Sequence, residues 1–535
     1  MRARTLPLLS LVAAAALACS APPEKAPEPT VAIVAPPSST EDDPLVVMTS
    51  HGPIRGAMEA SGTRVWKGIP YAAPPTGALR FRPPAPAAPW TEPRTTTSYA
   101  SECVQLDERG RVIGDEDCLY LNVWAPEASR AERLPVLFWI HGGDNVIGAA
   151  SDPWYDGARL AERAKAIVVT INYRLGAFGW LAHPAFRGED PHGATGNYGL
   201  HDAIAALTWV QKNITALGGD PSRVLVFGQS AGASNTCALV ASPLARGLFS
   251  RAMMLSLSCH AVEDSGVEST NEVVTRRLGC TGASDVPACL RGKSASELAR
   301  LPGASLQPTD EPADYYETVD GWALPEHPEM ILAKGKHNPM PLVMGTTRDE
   351  YASILDLMLE EPVDTPDQYA SVLEGWYGAR IAARIVALYP FGRYRDGRAA
   401  MVDVVSDSLM HCPTRRAARA AAATQAAPVY RYWFAQAPTK GPSALHGAAH
   451  GVDVDYVFRF PAPSISVDPT PDDLRVSDEL VSSIAALARD GSPEGASSIV
   501  WPRYDREREP LAVISATPTP PPTFDVARCA LWDAL

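Results

Sequence analysis

The stretch Val224-Leu225-Val226-Phe227-Gly228-Gln229-Ser230-Ala231-Gly232 decides how the rest of the chain is interpreted. Its first four residues are apolar and suit a buried strand. The next five read Gly-x-Ser-x-Gly, and small residues typical of a helix follow. Strand, sharp turn and helix in this order form a nucleophile elbow, in which the glycines remove side chains that would clash. We therefore predict an exposed Ser230 hydroxyl, with the N–H of Ala231 at the helix start facing developing negative charge.

Composition limits the classes of protein that this chain can belong to. Its 535 residues are 46% hydrophobic and 20% charged, which is typical of a soluble globular protein. The formal charge of −14 disfavours nucleic acid and anionic membrane surfaces as partners. The sequence contains no metal-ligand cluster, Walker loop or dinucleotide fingerprint, so we expect neither a metal nor a cofactor.

The N-terminus has the pattern of an export signal. Two arginines precede an apolar stretch over residues 6–18, which is too short to span a bilayer. Ala16-Leu17-Ala18 fits a small-x-small cleavage site, and Cys19 directly after it is a candidate for lipidation. Plain secretion and a lipid anchor both remain open, and the anchor would be the chain's only contact with a membrane. We expect an exported protein, either secreted or lipid-anchored at a bacterial cell envelope.

The remaining chain reads as one enlarged domain. Prolines and acidic residues dominate residues 19–44, which cannot bury a core and suit an extended tether. Beyond them, apolar runs alternate with helical segments, which favours an α/β fold with a large, mostly parallel sheet and helices on both faces. The segments from about 263 to 339 and from 361 to 425 read as mainly helical insertions. The predicted organisation is a signal peptide over 1–18, a Pro-rich tether over 19–44 and one α/β domain over 45–535. The predicted strands are 46–49, 65–70, 119–124, 135–140, 167–172, 253–257, 342–344 and 429–434, with a helix over 200–214.

A series of short motifs, in one order along the chain, resembles the type B carboxylesterases of the α/β-hydrolase superfamily. The resemblance runs from about Val46 to Leu535. The family includes cholinesterases and bacterial esterases. The resemblance implies a serine hydrolase that cleaves carboxylic esters of small molecules through an acyl-enzyme. Besides the elbow, the motifs are Gly68-Ile69-Pro70-Tyr71-Ala72, Glu116-Asp117-Cys118-Leu119, Ile140-His141-Gly142-Gly143, Asn172-Tyr173-Arg174-Leu175-Gly176, Gly196-Asn197-Tyr198-Gly199, Gly218-Gly219-Asp220-Pro221, Asp349-Glu350, Gly447-Ala448-Ala449-His450-Gly451 and Trp501-Pro502-Arg503-Tyr504.

The resemblance assigns the general base to a histidine loop. His450 stands in Gly447-x-x-His450-Gly451, and imidazole alone titrates near neutral pH without a large perturbation. It would take the proton from Ser230. His446 lies four residues earlier, and we expect it to make a loop contact instead.

The third catalytic member is expected to be Glu350. A carboxylate on the far side of the imidazole fixes its tautomer and stabilises the imidazolium. Glu350 follows the strand at residues 341–345 and completes the chain order serine, acid, histidine expected of this fold. Asp349 is the rival acid. Tyr351 stands where the family places a glycine.

The resemblance places the oxyanion hole on the loop of Gly142, Gly143 and Asp144, together with the N–H of Ala231. Asp144 replaces the family's third glycine, and a carboxylate there would repel an oxyanion unless it is turned away or protonated. Each lost donor costs about 10²–10³ in rate. We therefore expect an active enzyme with an altered pocket or a modest rate. Further departures from the family are Asn145 for an aromatic residue, Gln229 for a glutamate beside the nucleophile, and Leu257 for a glycine after Ser256.

The resemblance also pairs six cysteines: Cys103 with Cys118, Cys280 with Cys289, and Cys412 with Cys529. Cys237 and Cys259 are left over, and we expect them to be buried free thiols. Two further pairs, Arg80 with Glu116 and Arg174 with Asp202, resemble structural ion pairs of the family.

The loop between Cys103 and Cys118 bears on the substrate. It contains no Trp, Tyr or Phe, whereas choline recognition in the cholinesterases uses an aromatic residue of this loop through a cation–π contact. A choline-ester specialist is therefore disfavoured. The alternatives are an amide, carbamate or specialised natural-product ester hydrolase, or a non-catalytic binding protein on the same scaffold. The acyl and alcohol specificity and the oligomeric state remain open.

Overall fold

The structure is a computed structural model that describes residues 43–127, 132–256, 259, 261–262, 264–303, 313–359, 361–460, 467–520 and 526–535. The predicted signal peptide, Cys19 and the tether up to residue 42 lie outside the described residues, and so does Leu257. Residues 44–535 form one compact unit. No helix within the described ranges combines the length and the apolar character that crossing a bilayer requires.

The described residues contain fifteen strands, ten of which form one sheet. The order in that sheet is β15-β14-β13-β12-β11-β9-β10-β8-β4-β3. Its seven strands from β15 to β10 are parallel, while β8, β4 and β3 continue it in antiparallel fashion. The strands are β1 (Val46–Met48), β2 (Pro53–Arg55), β3 (Ala57–Met58), β4 (Arg64–Pro70), β5 (Arg94–Thr95), β6 (Gln105–Leu106), β7 (Val112–Ile113), β8 (Tyr120–Ala125), β9 (Leu134–Ile140), β10 (Ile167–Ile171), β11 (Gly219–Gln229), β12 (Arg251–Leu255), β13 (Leu342–Thr347), β14 (Val429–Phe434) and β15 (Ala512–Ile514).

Helices cover both faces of the large sheet, which explains why its central strands read as continuous apolar runs. Along β9, Val136 and Phe138 join the core on one face, whereas Leu137 and Trp139 join the core on the other. The α/β prediction is therefore confirmed. The helices are α1 (Ala158–Ala164), α2 (Gly176–Trp180), α3 (Tyr198–Asn213), α4 (Ala231–Ala241), α5 (Asp264–Arg277), α6 (Val286–Arg291), α7 (Ala295–Ala299), α8 (Pro328–Ala333), α9 (Leu355–Met358), α10 (Pro366–Tyr377), α11 (Ala379–Leu388), α12 (Gly397–Ser406), α13 (Cys412–Thr424), α14 (Val452–Val457), α15 (Pro471–Asp490) and α16 (Val526–Trp532).

The second helical insertion has its own core beside the sheet. A π-helical turn, Asp407–His411, joins α12 directly to α13. Leu531 and Trp532 of α16 pack into this core, and the disulfide between Cys412 and Cys529 ties α16 to the start of α13. The insertion is thus fixed to the C-terminal segment of the domain.

The cysteine expectation requires one correction. The structure contains the three disulfides named above, but it also joins Cys237 to Cys259, with their Cα atoms 5.3 Å apart. The prediction of two free thiols is therefore wrong. Cys237 lies on α4, and α4 packs against β12, whose C-terminal continuation carries Cys259. Only this packing brings the two sulfur atoms together.

Two largely buried ion pairs connect segments that are far apart in the chain. Arg80 contacts both carboxylate oxygens of Glu116, including an Nε–Oε2 distance of 2.8 Å. Arg174 donates from Nε and Nη2 to the two carboxylate oxygens of Asp202 at 2.8 and 2.7 Å. Bidentate geometry of this kind fixes orientation as well as charge.

Candidate active site

The elbow places Ser230 between β11 and α4 in a strained backbone conformation. Its φ is 57° and its ψ is −126°, values that few non-glycine residues adopt. Its N–H donates to the carbonyl oxygen of Leu255 at 2.9 Å, which fixes the turn against β12. A Cβ at Gly228 would overlap the backbone of Gly232, and a Cβ at Gly232 would overlap the carbonyl of Ile140. Both glycines are therefore steric requirements of the turn.

The loop after β9 lies directly against the elbow. A Cβ at Gly142 would lie 2.7 Å from the carbonyl oxygen of Gln229 and 3.1 Å from the Cβ of Ser230. Gly143, with a φ of 105°, and Asp144, with a φ of 58°, continue the loop past the serine. Ala231 is the first residue of α4, where backbone N–H groups have no partner within the helix. The predicted oxyanion donors thus belong to two segments that meet at Ser230.

Asn145 anchors this loop from behind. The side chain is fully buried, and its Oδ1 accepts a hydrogen bond from Asn235 Nδ2 of α4 at 2.9 Å. Its carbonyl oxygen accepts the N–H of Gly176 at 2.7 Å. The residue that replaces an aromatic side chain therefore ties the loop to the helix that follows the serine.

The side chain of Asp144 is largely enclosed and has one close side-chain partner. It accepts a hydrogen bond from the hydroxyl of Tyr316. Burial and the nearby charge of Asp314 raise the pKa of Asp144, while the charge of His450 opposes that shift. Tyr316 therefore restrains the carboxyl group of Asp144, and the charges of Asp144 and His450 still act on each other.

The partly buried His450 pairs with the fully buried Glu350. The Nδ1 atom of His450 lies 2.6 Å from Oε2 of Glu350, whose side chain is fully buried. The other carboxylate oxygen accepts the N–H of Thr347 at 2.8 Å. Burial raises the pKa of Glu350, but the charge and hydrogen bond of His450 outweigh this and leave the pKa lowered. The charge of His411 and the side chain of Ser256 act in the same direction.

The same contact sets the ionisation of the imidazole. Burial lowers the pKa of His450, but the charge and hydrogen bond of Glu350 outweigh it, so the net shift is upward. Because the carboxylate can only accept, the proton of the neutral ring stands on Nδ1. The lone pair of the neutral ring then stands on Nε2.

The two rival residues, Asp349 and His446, bind other partners. Asp349 forms an ion pair with Arg348 at 2.7 Å and accepts the N–H of Ala448 at 2.8 Å. His446 contacts the carbonyl oxygen of Ala352 through Nδ1 at 3.1 Å, which is a loop contact. Tyr351, at the family's glycine position, donates its N–H to Ser406 Oγ at 3.2 Å.

Gln229 contacts the second ring nitrogen of His450. Its Nε2 lies 3.0 Å from Nε2 of His450, so the amide donates to the ring's lone pair. Within the part of the chain that the structure describes, no hydrogen bond joins Ser230 to His450. The structure thus brings Glu350 and Gln229 to the imidazole, while Ser230 is the immediate chain neighbour of Gln229.

Sequence reasoning missed two buried carboxyl groups near the site. Asp453 accepts a hydrogen bond from the Tyr432 hydroxyl at 3.0 Å, and burial together with the charge of Glu350 raises its pKa to about 7. Glu317 accepts from Ser234 Oγ at 3.0 Å, and burial raises its pKa to about 8. Asp453 follows His450 by three residues and lies in the first turn of α14. Nothing in the local sequence distinguishes Glu317 from a surface acid.

No metal centre emerges from the described side chains. Among them, no group of three or more His, Cys, Asp or Glu residues is arranged to hold an ion.

The arrangement defines a class of protein. A serine on a strand–turn–helix elbow of a mostly parallel sheet, with an acid after β13 and a histidine after β14, is the organisation of an α/β-hydrolase. The sequence profile described as "Carboxylesterase family" matches residues 43–532, so the chain belongs to the carboxylesterase family. It is accordingly a carboxylic ester hydrolase that acts on small-molecule esters.

Individual relatives agree with this family. The chain is 34% identical to a fumonisin B1 esterase of Sphingopyxis macrogoltabida, with 88% of this chain and 87% of the relative covered. It is also 34% identical to the para-nitrobenzyl esterase of Bacillus subtilis, with 88% and 95% covered. A solved thermophilic pNB esterase superposes with a TM-score of 0.78 at 32% identity, covering 92% of this chain and all of the other.

Proposed function

We propose that this chain hydrolyses carboxylic esters through an acyl-enzyme, with Ser230 as nucleophile, His450 as general base and Glu350 as the acid that orients the base. The observation that carries the proposal is the 2.6 Å contact between His450 Nδ1 and the fully buried Glu350 carboxylate. It leaves the Nε2 lone pair as the proton acceptor, on the side of the ring where the elbow lies.

The reaction proceeds in two halves. In the first, His450 Nε2 takes the proton of Ser230 while the serine oxygen attacks the carbonyl carbon of the ester. The imidazolium then gives that proton to the departing alkoxide, and the alcohol leaves. In the second half, His450 takes a proton from water, which attacks the acyl carbon and releases the carboxylic acid. Ser230 regains its proton at the end.

The negative charge of each tetrahedral intermediate falls on the carbonyl oxygen. We assign its donors to the N–H groups of Gly143, Asp144 and Ala231, with Gly142 shaping the loop. The contact between the Gly142 position and Ser230 supports this assignment. Such donors act most strongly when they are fixed before the charge develops. The tie between Asn145 and α4 supplies that rigidity.

Gln229 adds a step to the cycle. Its amide occupies the Nε2 lone pair at 3.0 Å, so attack requires that His450 exchange this partner for the Ser230 hydroxyl. The amide is a neutral donor, and it stabilises the neutral base between turnovers.

The test combines covalent labelling with a substrate panel. We expect an organophosphonate to label the purified protein stoichiometrically on the peptide that contains Ser230. Ser230→Ala should abolish labelling, whereas Ser222→Ala, at an exposed serine of the same strand, should retain it. p-Nitrophenyl esters of increasing acyl length should be hydrolysed much faster than matched anilides. A folded wild-type protein that is neither labelled nor active would overturn the proposal, and faster anilide hydrolysis would indicate an amidase.

We also propose that the domain over 45–535 is exported behind a cleaved segment and a tether. The four disulfides support this, because such bonds persist in oxidising compartments. The proposal predicts that the mature protein fractionates with the cell envelope or the medium. Metabolic labelling with a fatty acid, lost in Cys19→Ser, would establish a lipid anchor. Export without label would establish plain secretion, and retention of the intact precursor in the cytoplasm would contradict export altogether.

A further inference from the structure

A buried histidine, His411, lies close to Glu350, the proposed acid. His411 is in the π-helical turn between α12 and α13 and is 3% exposed. Its Nδ1 lies 2.9 Å from Oδ1 of Asp407, and its Nε2 lies 3.0 Å from the carbonyl oxygen of Thr347. A carboxylate and a carbonyl oxygen can only accept hydrogen bonds. Both ring nitrogens must therefore donate, so the geometry requires an imidazolium.

The carboxylate of Asp407 is itself fixed. Its Oδ2 accepts the hydroxyl of Tyr389 at 2.8 Å and lies 3.5 Å from Nη1 of Arg528. The Tyr389 hydroxyl in turn accepts Nε1–H of Trp532 at 2.8 Å. Both Arg528 and Trp532 belong to α16, which the disulfide of Cys412 holds in place. These contacts hold Asp407 in place as the partner of His411.

One residue separates this cation from Glu350. The carbonyl of Thr347 accepts from His411, while the N–H of Thr347 donates to Glu350 Oε1 at 2.8 Å. The two side chains also interact directly through their charges. His411 therefore acts on the carboxylate in two ways, through Thr347 and through the electric field.

We propose that His411, paired with Asp407, is a positioning residue for ester hydrolysis: a fixed cation that keeps Glu350 ionised and holds the Thr347 residue that orients it. This inference rests on the proposed function, since it gives the acid of that triad a second partner. His411 does not touch the substrate or the reacting atoms.

The electrostatic surroundings set the sign of the expected effect. Burial lowers the pKa of His411, but the hydrogen bond and charge of Asp407, followed by the charge of Glu350, raise it above its usual value. Loss of this cation raises the pKa of Glu350 and, because His450 then faces less positive charge, the pKa of His450. The charged or polar groups around His411 are Asp407, Glu350, Asp403, Tyr389 and Arg528, with the Trp433 ring 4.6 Å away. Those around His450 are Glu350, Asp453, Asp144 and Gln229.

The pH profile of kcat/KM provides the test. His450 must be neutral to act as a base, so its pKa sets the acidic limb. His411→Gln keeps an N–H donor for Thr347 but removes the charge, and we expect it to move the acidic limb up by about 0.5–1 pH unit. His337→Gln is the matched control, because His337 is also buried but contacts Gln425 at 2.9 Å. That variant should leave the limb unchanged.

A merely structural role would lower the melting temperature or the active fraction without moving the limb. The concentration of active sites is therefore measured by titration with the organophosphonate. An unshifted acidic limb in the active His411→Gln enzyme would overturn the inference. Asp407→Asn, which removes the counter-ion, should shift the limb in the same direction. If both variants fail to fold, ¹⁵N-histidine NMR of the wild type decides, since no imidazolium at pH 8 would contradict the proposal. An inactive wild type would instead refute the proposed function. The NMR result would then still test whether His411 is an imidazolium.

Discussion

Two histidine–carboxylate pairs lie close together in the fold, and only one of them is suited to act as a base. In both, Nδ1 faces a carboxylate, at 2.6 Å for His450 and at 2.9 Å for His411. They differ at Nε2, where His450 meets the amide nitrogen of Gln229 and His411 meets the carbonyl oxygen of Thr347. A donor leaves the ring a lone pair, whereas an acceptor requires a proton. The second partner, and not the carboxylate, distinguishes a base from a fixed cation.

The largest expected contrast comes from removing each imidazole. His450→Ala should lower kcat by about 10⁶, because without a base the remaining groups contribute little. His411→Gln should lower the plateau value of kcat by less than about tenfold, since its effect lies in the pH profile. Active-site-titrated rates on a p-nitrophenyl ester measure both. Comparable losses in the two variants would contradict the distinction between a base and a fixed cation.

The carboxylates should differ nearly as strongly. Glu350→Gln should lower kcat by about 10⁴, because an amide favours the wrong tautomer of His450. Asp349→Asn is the matched control at the next residue, and it should keep kcat within a few fold, since Asp349 pairs with Arg348. A larger loss in Asp349→Asn than in Glu350→Gln would transfer the acid role to the rival.

A smaller effect should follow from the carboxyl group beside the oxyanion loop. Asp144→Gly removes a negative charge near the developing oxyanion and suits a φ of 58°. We expect kcat/KM to rise by about tenfold, or about 1.4 kcal/mol. Asp144→Asn separates charge from shape, because it tolerates the same backbone conformation. Unchanged rates in both variants would mean that Tyr316 already keeps the carboxyl group clear of the oxyanion.

Gln229 offers a way to make His450 resemble His411. Gln229→Glu replaces a donor at Nε2 with an acceptor, which stabilises the imidazolium. We expect the acidic limb of kcat/KM to move up by about one pH unit. Gln229→Met, of similar size but without a polar group, should move it less. No shift in the glutamate variant would show that Nε2 does not face this side chain in solution.

The last expected effect is on stability rather than on rate, and it concerns the buried carboxyl group of Glu317. Burial raises the pKa of Glu317 to about 8 from its ordinary value of 4.5, so the folded state binds the extra proton between these values. The free energy of unfolding should therefore fall as pH rises through this window, by up to about 1.4 kcal/mol per pH unit. Glu317→Gln should flatten this loss and be the more stable protein at pH 8. Parallel denaturation curves of the two proteins from pH 5 to pH 9 would contradict the assignment.

Sequence reasoning succeeded where the signal was local. The apolar run before Gly228 predicted a buried strand, and β11 ends directly at Ser230. The segments predicted at 135–140 and 429–434 match β9 and β14 within one residue. The family prediction, made from motifs in a fixed order, is confirmed by the profile match. The strands β2, β3, β5, β6, β7 and β15 were missed, because two- and three-residue strands carry too little periodicity to detect.

Sequence reasoning failed where the determining contact was distant in the chain. The Cys237–Cys259 bond depends on how α4 packs against β12. The role of His411 depends on Thr347, which lies 64 residues away. The chain has 11 histidines, and no motif in the sequence sets His411 apart from the others.

The sequence by itself determined the elbow, the longer strands of the sheet and the family, because these follow from residue size, hydrophobic pattern and backbone strain within short windows. The tertiary structure alone decided which atoms face each ring nitrogen of His450 and His411, and where the carboxyl group of Asp144 is held. Protonation depends on the donors, acceptors and charges packed within a few ångströms of a group. Residues far apart in sequence supply those neighbours, so chemistry at this level is a property of the packed chain.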